Sequence, residues 1–298
     1  MLENRVVVVT GAGRGLGAEY AAAAAAAGAR VVVNDLGCAS DGSGNDHSVA
    51  ESVVERIRAA GGTAVANFDD VATMAGAENL LRQTLEEYGT VDALVNNAGV
   101  LRDRMFVNQS EEEWDDVIRG QLRTTFCGSK AFLGYWREQS KAGADVDARI
   151  VNISSTSGLI GQLGQSNYGA AKAGIAALTL IMAQEVARLG VKANVVVPIA
   201  RTRMTENAPG VAELVAAPAD PNEFDRNHPR NVAPLVVWLS SQECTRTGEV
   251  FFGRGNEIRR MSGWTYDWSI TAEGTWRPED IGEAVAAADS KNATNEGK

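Results

Sequence analysis

Tyr168 and Lys172 stand four residues apart in "NYGAAKAGIAALTL" (Asn167 to Leu180), slightly more than one helical turn, so a helix puts both on one face. The run around them is alanine and glycine where a helix filling a core would carry leucine, which leaves the two polar side chains uncrowded beside a cavity. A phenol with a pKa of about 10 is a poor base alone. An ammonium held beside it favours the phenolate, so this spacing predicts a tyrosine brought toward neutrality and able to exchange a proton with a substrate. A third group is needed to hold the substrate oxygen, and "VNISSTSG" offers Ser154 and Ser155 at a strand end. Alternation along the strand sends their hydroxyls to opposite faces, so one of the two meets the site.

A second constellation lies near the N-terminus. "TGAGRGLG" (Thr10 to Gly17) follows the run "VVVV" directly and opens an alanine-rich helix. Gly11, Gly15 and Gly17 let the backbone turn tightly and approach a pyrophosphate at the helix N-terminus, a G-x-x-x-G-x-G variant of the dinucleotide fingerprint. Asp35 ends the next strand, 20 residues past Gly15, where a carboxylate accepts from ribose hydroxyls and repels a 2′-phosphate. Arg14, inside the loop, is the counterweight, since it can pair with that phosphate. The balance predicts NAD rather than NADP.

These residues need a frame. Val6–Val9, "RVVVND", "TAVANF", "DALVNN", "RIVNIS", "KANVVV" and "EVFFGR" read as strands, with helical patterns between neighbours. The predicted fold is α/β, a doubly wound parallel sheet of seven strands (a Rossmann fold). The strands are nearly continuous apolar runs, as in a sheet covered on both faces. The predicted organisation is one domain over 1–263, with a lid at about 198–231 marked by Pro209, Pro218, Pro221 and Pro229, and a C-terminal extension over 264–298. Trp264, Trp268 and Trp276 in that extension are expected to dock on the body or a neighbouring subunit, and the last ten residues to fray.

Composition narrows the function classes. Of 298 residues, 45% are hydrophobic and 22% charged, and the net charge is −10, which disfavours general affinity for nucleic acid or anionic membranes. No apolar run reaches the roughly 18 residues that span a bilayer, and no signal peptide is expected from "MLENRVVVVTGAG". Cys38, Cys127 and Cys244 are far apart and His47 and His228 sit in polar sequence, so neither a disulfide framework nor a metal site is expected and a reducing, cytoplasmic setting is.

Taken together, "TGAGRGLG", "NNAG", "ISS" and "YGAAK" resemble, in order and spacing, the short-chain dehydrogenase/reductase family, over roughly Met1 to Gly263. The resemblance implies that the catalytic serine lies thirteen residues before the tyrosine, which selects Ser155. It implies that Asn96 begins a motif supporting the central strand and that Asn97, Ala98 and Gly99 line the cofactor, as Leu16 does within the glycine loop. It implies an adenine contact from Asp69 or Asp70 with Val71, a nicotinamide wall at Pro198, a carboxamide contact at Thr202, and a ribose contact from Lys172. The family's fourth catalytic member, an asparagine, falls on Gln121, in a helix opened by a Ser110/Glu113 capping box and striped with Trp114, Val117, Ile118, Leu122 and Phe126. Gln keeps the amide and adds a methylene, so a functional substitute is expected there.

"VVVNDLG", "NNAGVLRDRMF", "GQLGQSNYGAAKAG" and "TRMTE" are further similar to the group formed by the (3R)-hydroxyacyl-CoA dehydrogenase part of type 2 peroxisomal multifunctional enzymes and its bacterial single-domain relatives. That resemblance implies NAD-dependent interconversion of (3R)-hydroxyacyl-CoA and 3-oxoacyl-CoA. Arg102, Arg104, Arg201 and Arg203 are then candidates for the CoA phosphates. Where that group has A-P-N after the sixth strand, this chain has Val197-Pro198-Ile199. Alternatives are an NADPH-dependent 3-oxoacyl-ACP or carbonyl reductase, a hydroxysteroid or terpenoid alcohol dehydrogenase, and a silent dinucleotide-binding sensor. A homodimer or homotetramer is expected, since family helices near Tyr168 pair across subunits.

Overall fold

The computed structural model describes residues 1–39, 44–202, 212–220, 222–263 and 265–293. The strands are β1 (Val6–Thr10), β2 (Arg30–Asn34), β3 (Thr63–Asn67), β4 (Ala93–Asn96), β5 (Ala148–Ile153), β6 (Val191–Pro198), β7 (Val250–Arg254) and β8 (Glu257–Met261). They form one sheet in the order β3-β2-β1-β4-β5-β6-β7-β8. The first seven are parallel, as expected. The eighth, which the sequence reading missed, returns antiparallel from β7 with Val250 opposite Met261. Its sequence, EIRRM, has three charged residues of five and lies at the sheet edge, so it carries neither the alternation nor the apolar run that marks the others.

Burial on both faces explains the continuous valine runs. Val7, Val9, Val31 and Val33 pack into one apolar cluster, while Val6, Val8 and Val32 pack into another on the opposite face. Helices α1 (Gly15–Ala26) and α2 (Ser48–Ala59) cover the first face, and α3 (Met74–Tyr88) covers the second. Helix α4 (Glu111–Val117) begins with the expected capping box, in which the Ser110 hydroxyl accepts from Glu113 N and the Glu113 carboxylate accepts from Ser110 N. It runs through a π turn (Ile118–Arg123) into α5 (Thr124–Lys141). The apolar stripe expected here divides: Val117 is buried, whereas Trp114 is 38% and Phe126 45% exposed. The extra residue in each π-turn ring shifts the phase of the stripe beyond it, so a count at 3.6 residues per turn misplaces Phe126, whereas Trp114 precedes the turn on the same regular helix as Val117.

Short α6 (Thr156–Leu159) and long α7 (Ser166–Glu185) follow β5, and α8 (Ala233–Leu239) precedes β7. A buried polar ladder fixes α7 to the sheet centre. Asn96 Nδ2 donates to Asn152 Oδ1 at 2.8 Å, Asn152 Nδ2 donates to Thr179 Oγ1 at 2.8 Å, and Thr179 donates to the Ile175 carbonyl at 2.6 Å. Asn96 Nδ2 also reaches Ser129 Oγ at 3.1 Å, so the residue implied to support the central strand bonds to β5 and α5. Among the described residues no helix is long and apolar enough to cross a membrane.

The chain divides into two compact units, residues 1–261 and 262–298. The second contains helix α9 (Pro278–Ala293), which continues into the polar stretch expected to fray; within this unit Trp268 Nε1 donates to Asp289 Oδ1 at 3.0 Å. Trp264, Pro209, Pro221, Arg203 and residues 294–298 lie outside the described residues.

At the opposite end of the strands from the glycine loop, Asp147 pairs with Arg149, Arg5 and Lys192, and Arg149 is fully buried with its Nε donating to the Ser241 carbonyl. Burial raises the Asp147 carboxyl, but the Arg149 hydrogen bond and charge outweigh it and hold the group below its ordinary value. A carboxylate lowered in this way contributes stability above its unfolded value and loses it as pH falls through the folded one. Asp147→Asn is expected to cost about 1–2 kcal/mol at neutral pH, discounted for the carboxylate's partial exposure. In urea unfolding, that gap should close as pH drops below about 4.

Candidate active site

The strand order reverses between β1 and β4, and at such a switch point the carboxyl ends of the strands open a crevice. Here the crevice is a cavity of about 680 Å³. Every residue named above for catalysis or cofactor binding lines it: Gly11, Arg14, Gly15, Leu16 and Gly17 from the first loop; Asp35; Asp69, Asp70 and Val71; Asn97, Ala98 and Gly99. From the other side come Gln121, Ser155, Tyr168, Lys172, Pro198 and Thr202.

At the first end the glycine loop is tied to β4. Asn97 Nδ2 donates to the carbonyls of Thr10 at 3.0 Å and Gly11 at 2.9 Å, and the Thr10 hydroxyl accepts from Asn97 N and Ala98 N. Gly11 has φ +61°, and a Cβ on Gly17 would lie 2.2 Å from the Gly11 carbonyl oxygen. Only glycine allows this approach. Helix α1 starts without a side-chain cap, leaving its first N–H groups directed at the cavity wall. Asp35 Oδ2 accepts from Gly13 N at 2.8 Å and Oδ1 from Gly37 N at 2.7 Å, which sets the carboxylate beside the loop with lone pairs to spare. Arg14 donates to the Cys38 carbonyl at 3.0 Å. An uncapped helix start, a cradle that a Cβ would fill and a fixed carboxylate fit a dinucleotide.

At the second end β5 and α7 meet. Ser154 is buried and donates to the Lys172 carbonyl at 2.8 Å, so it holds the helix. Ser155, on the other side of the strand as alternation requires, faces the cavity and caps α6 by accepting from Ser157 N at 3.2 Å. Its hydroxyl bonds to that of Tyr168. Lys172 is 4% exposed and its Nζ donates to the Ile153 carbonyl at 2.7 Å, lying 5.5 Å from the centre of the Tyr168 ring.

The titration expected from sequence is reversed in this state. Burial pushes the Tyr168 phenol up to about 12, aided by the charge of Asp103 and opposed by the Ser155 hydrogen bond. Burial also pulls Lys172 down to about 7. Spacing on a helix predicts proximity, but the Lys172 amino group is spent on a backbone carbonyl, and desolvation of Tyr168 outweighs the Ser155 hydrogen bond that favours the phenolate.

Gln121 is buried inside the π turn. Its Nε2 donates to the Val100 carbonyl at 2.7 Å, its own carbonyl accepts from the Thr124 and Thr125 hydroxyls at 2.7 and 3.1 Å, and its Oε1 has no partner. A Cβ on Gly99 would sit 2.4 Å from this amide, so the glycine makes room for the longer side chain.

The arginines proposed for CoA phosphates are already engaged. Arg102 pairs with Asp116 at 2.8 Å, Arg104 with Glu113 at 2.7 Å and Arg201 with Asp225, which corrects the expectation of free local positive charge. The partners are 9 to 24 positions away in sequence, too far for a helix-face rule to reveal. Arg119, paired with Asp70 across the cavity, was missed for the same reason. Ser157, Gln162 and Gln165 also line the cavity, and only the nearness of Gln165 to Tyr168 in "GQSNYGAAK" hinted at this.

Fold and site thus define a dinucleotide-binding α/β protein with a tyrosine, a lysine and a serine at the reacting end. The family model for short chain dehydrogenases matches residues 5–210. A hydroxyacyl-CoA dehydrogenase, ChsB1, of Mycobacterium tuberculosis is 41% identical over 284 residues, covering 94% of this chain and 87% of that protein. Mouse peroxisomal multifunctional enzyme type 2 is 42% identical over 84% of this chain and 31% of its own length. The crystal structure of a short chain dehydrogenase from Mycobacterium avium superposes with a TM-score of 0.86 at 46% identity, covering 97% of this chain and 96% of that one. The chain belongs to the short-chain dehydrogenase family and is an oxidoreductase that uses a nicotinamide dinucleotide.

Gly17→Ala should weaken NADH binding at least roughly tenfold, read by fluorescence titration, because the new methyl displaces the loop backbone that meets the pyrophosphate.

Proposed function

We propose that the protein interconverts (3R)-hydroxyacyl-CoA and 3-oxoacyl-CoA with NAD as cofactor. The observation that carries the chemistry is the meeting of Ser155, Tyr168 and Lys172 at one end of a cavity whose other end is the Asp35 carboxylate. The substrate class rests on similarity to hydroxyacyl-CoA dehydrogenase ChsB1 over nearly the whole chain. Asp35 supports NAD over NADP, because its charge disfavours a 2′-phosphate and Arg14 is turned to a backbone carbonyl.

Gly11, Arg14, Gly15, Leu16 and Gly17 hold the pyrophosphate, Asp35 the ribose, and Asp69 or Asp70 with Val71 the adenine. Asn97, Ala98, Gly99, Pro198 and Thr202 form the wall toward the nicotinamide. When bound, the nicotinamide accepts or returns the hydride of the reaction. In oxidation the Tyr168 oxygen takes the proton of the substrate hydroxyl while Ser155 donates to that oxygen; in reduction the phenol returns the proton. Donors fixed beforehand stabilise the oxygen as its charge grows. Lys172 supports the phenolate and the ribose, and Gln121 keeps the helix turn beside them.

Hydroxysteroid oxidation is the second reading. The engaged state of Arg102, Arg104 and Arg201 favours it, as do the exposed Phe106, Val107, Ile160 and Leu163 on the loops beside Gln165. Assembly as a homodimer or homotetramer is also proposed; exposed Trp114, Phe126 and Ile181 on the helices around Tyr168 suit burial against a second copy.

Reduction of a 3-oxoacyl-CoA series with NADH and NADPH in parallel tests this reading. Strong turnover with NADH that falls at least about 10³-fold in Tyr168→Phe is the expected result. Turnover of steroid ketones alone selects the second reading, and dinucleotide binding without any turnover selects a sensor. The oxidative kcat/KM should rise with pH above about 7, because it needs the phenolate of a group raised by burial.

A further inference from the structure

The cofactor half of the cavity is crowded with negative charge. Asp35, Asp69 and Asp70 all line it, and a dinucleotide adds its own pyrophosphate. Asp35 is held by the N–H groups of Gly13 and Gly37. Asp69 is turned to its own strand and helix, where Oδ2 accepts from Asn67 Nδ2 at 2.7 Å and Oδ1 from Asn79 Nδ2 at 3.3 Å. Asp70 instead reaches across the cavity, and Arg119 Nη2 donates to its Oδ2.

Both partners stand on fixed backbone. Asp70 lies in the turn from β3 into α3. Its Oδ1 accepts from Ala72 N at 2.9 Å and its carbonyl from the Thr73 hydroxyl at 3.0 Å, and Thr73 caps α3 by accepting from Gly76 N. Arg119 belongs to the π turn, where a Cβ on the next residue, Gly120, would lie 2.5 Å from Val100 Cγ2. Gln121 ties the same turn to the Val100 carbonyl. Arg123, the other arginine of the turn, is engaged with the Cys127 thiol.

With one partner on each oxygen, the Asp70 carboxylate keeps lone pairs to spare. An amino group on a purine ring donates to such a lone pair, whereas a ring carbonyl in the same place only repels it. A bare carboxylate near a pyrophosphate also opposes binding, and an arginine beside it offsets that charge.

We propose that Arg119 is a positioning residue for the adenine end of the cofactor. It holds and neutralises the Asp70 carboxylate across the cavity, so that the remaining lone pairs meet the 6-amino group and the site selects adenine. The proposal rests on the adenine contact assigned above to Asp69 or Asp70, and takes Asp70 of the two. The side chains of the pair are 51% and 33% exposed, so it adds little to folding and its effect falls on the ligand.

Fluorescence titration of the full-length protein with NADH and with reduced nicotinamide hypoxanthine dinucleotide, which has a carbonyl in place of the 6-amino group, tests this. Reduced nicotinamide mononucleotide, which lacks the adenosine half, is the control probe. Wild type should bind NADH at least about tenfold more tightly than the hypoxanthine analogue, the worth of one hydrogen bond to a charged group. Arg119→Gln should cut that preference to no more than about threefold and leave mononucleotide binding unchanged. Arg119→Lys, which keeps the charge, should retain the preference, and Asp70→Asn should lose it. If Asp70→Asn loses the preference and Arg119→Gln keeps it in full, Asp70 reads adenine without help and the proposal fails. A parallel loss of mononucleotide affinity in Arg119→Gln also overturns it, since the arginine would then act by shaping the π turn. A wild type that does not distinguish the two dinucleotides removes the adenine contact itself, and the proposal with it, while leaving the acyl-CoA reading untouched.

Discussion

The site depends on the burial of one amino group. Lys172 is nearly excluded from solvent, and its Nζ hydrogen bond to the Ile153 carbonyl is the polar contact that compensates. That contact joins α7 to the end of β5, and the Ser154 hydroxyl joins them again by donating to the Lys172 carbonyl. Tyr168, one turn earlier, and Ser155, one residue later, take their positions from this seam. The energetic cost of desolvating the lysine is also what lowers it to about 7, so the structural fastening and the acid–base tuning are one event.

The sheet supplies the stiffness behind it. Parallel strands buried on both faces leave their carboxyl ends as a rigid rim, and the Asn96–Asn152–Thr179 ladder carries that rigidity into α7. On the far side of the switch point the same rim holds the glycine loop through Asn97 and Thr10. The two ends of the cavity therefore share one foundation, as hydride transfer between a cofactor and a substrate requires.

Charge is managed locally rather than globally. The protein carries a net charge of −10, yet Arg102, Arg119 and Arg201 at or near the cavity each meet a carboxylate. At the reacting end the charge of Asp103 raises the Tyr168 phenol, and the buried Lys172 amino group lies 5.5 Å from the centre of its ring.

Much of this was legible in the residues themselves. The strand runs, the glycine spacing, the i, i+4 pair of Tyr168 and Lys172 and the split of Ser154 from Ser155 follow from local geometry: periods of two and 3.6, and the room a missing Cβ leaves. They sufficed for a doubly wound sheet, for the glycine loop with Asp35 at one end of the cavity and for Tyr168 with Lys172 at the other, while the walls at Asp69 to Val71, Gly99, Gln121, Pro198 and Thr202 were implied by the family resemblance. What the tertiary structure decided involves partners distant in sequence or a departure from regular period. The edge strand β8 lacks a pattern of its own, and the π turn moved Phe126 off the buried stripe. The arginines found acids that spacing does not announce, and Gln165 met Asp103 from 62 positions away. The proton affinity of Tyr168 belongs to the same class: a sequence brings an ammonium near a phenol, but only the packed fold determines how much water both have lost.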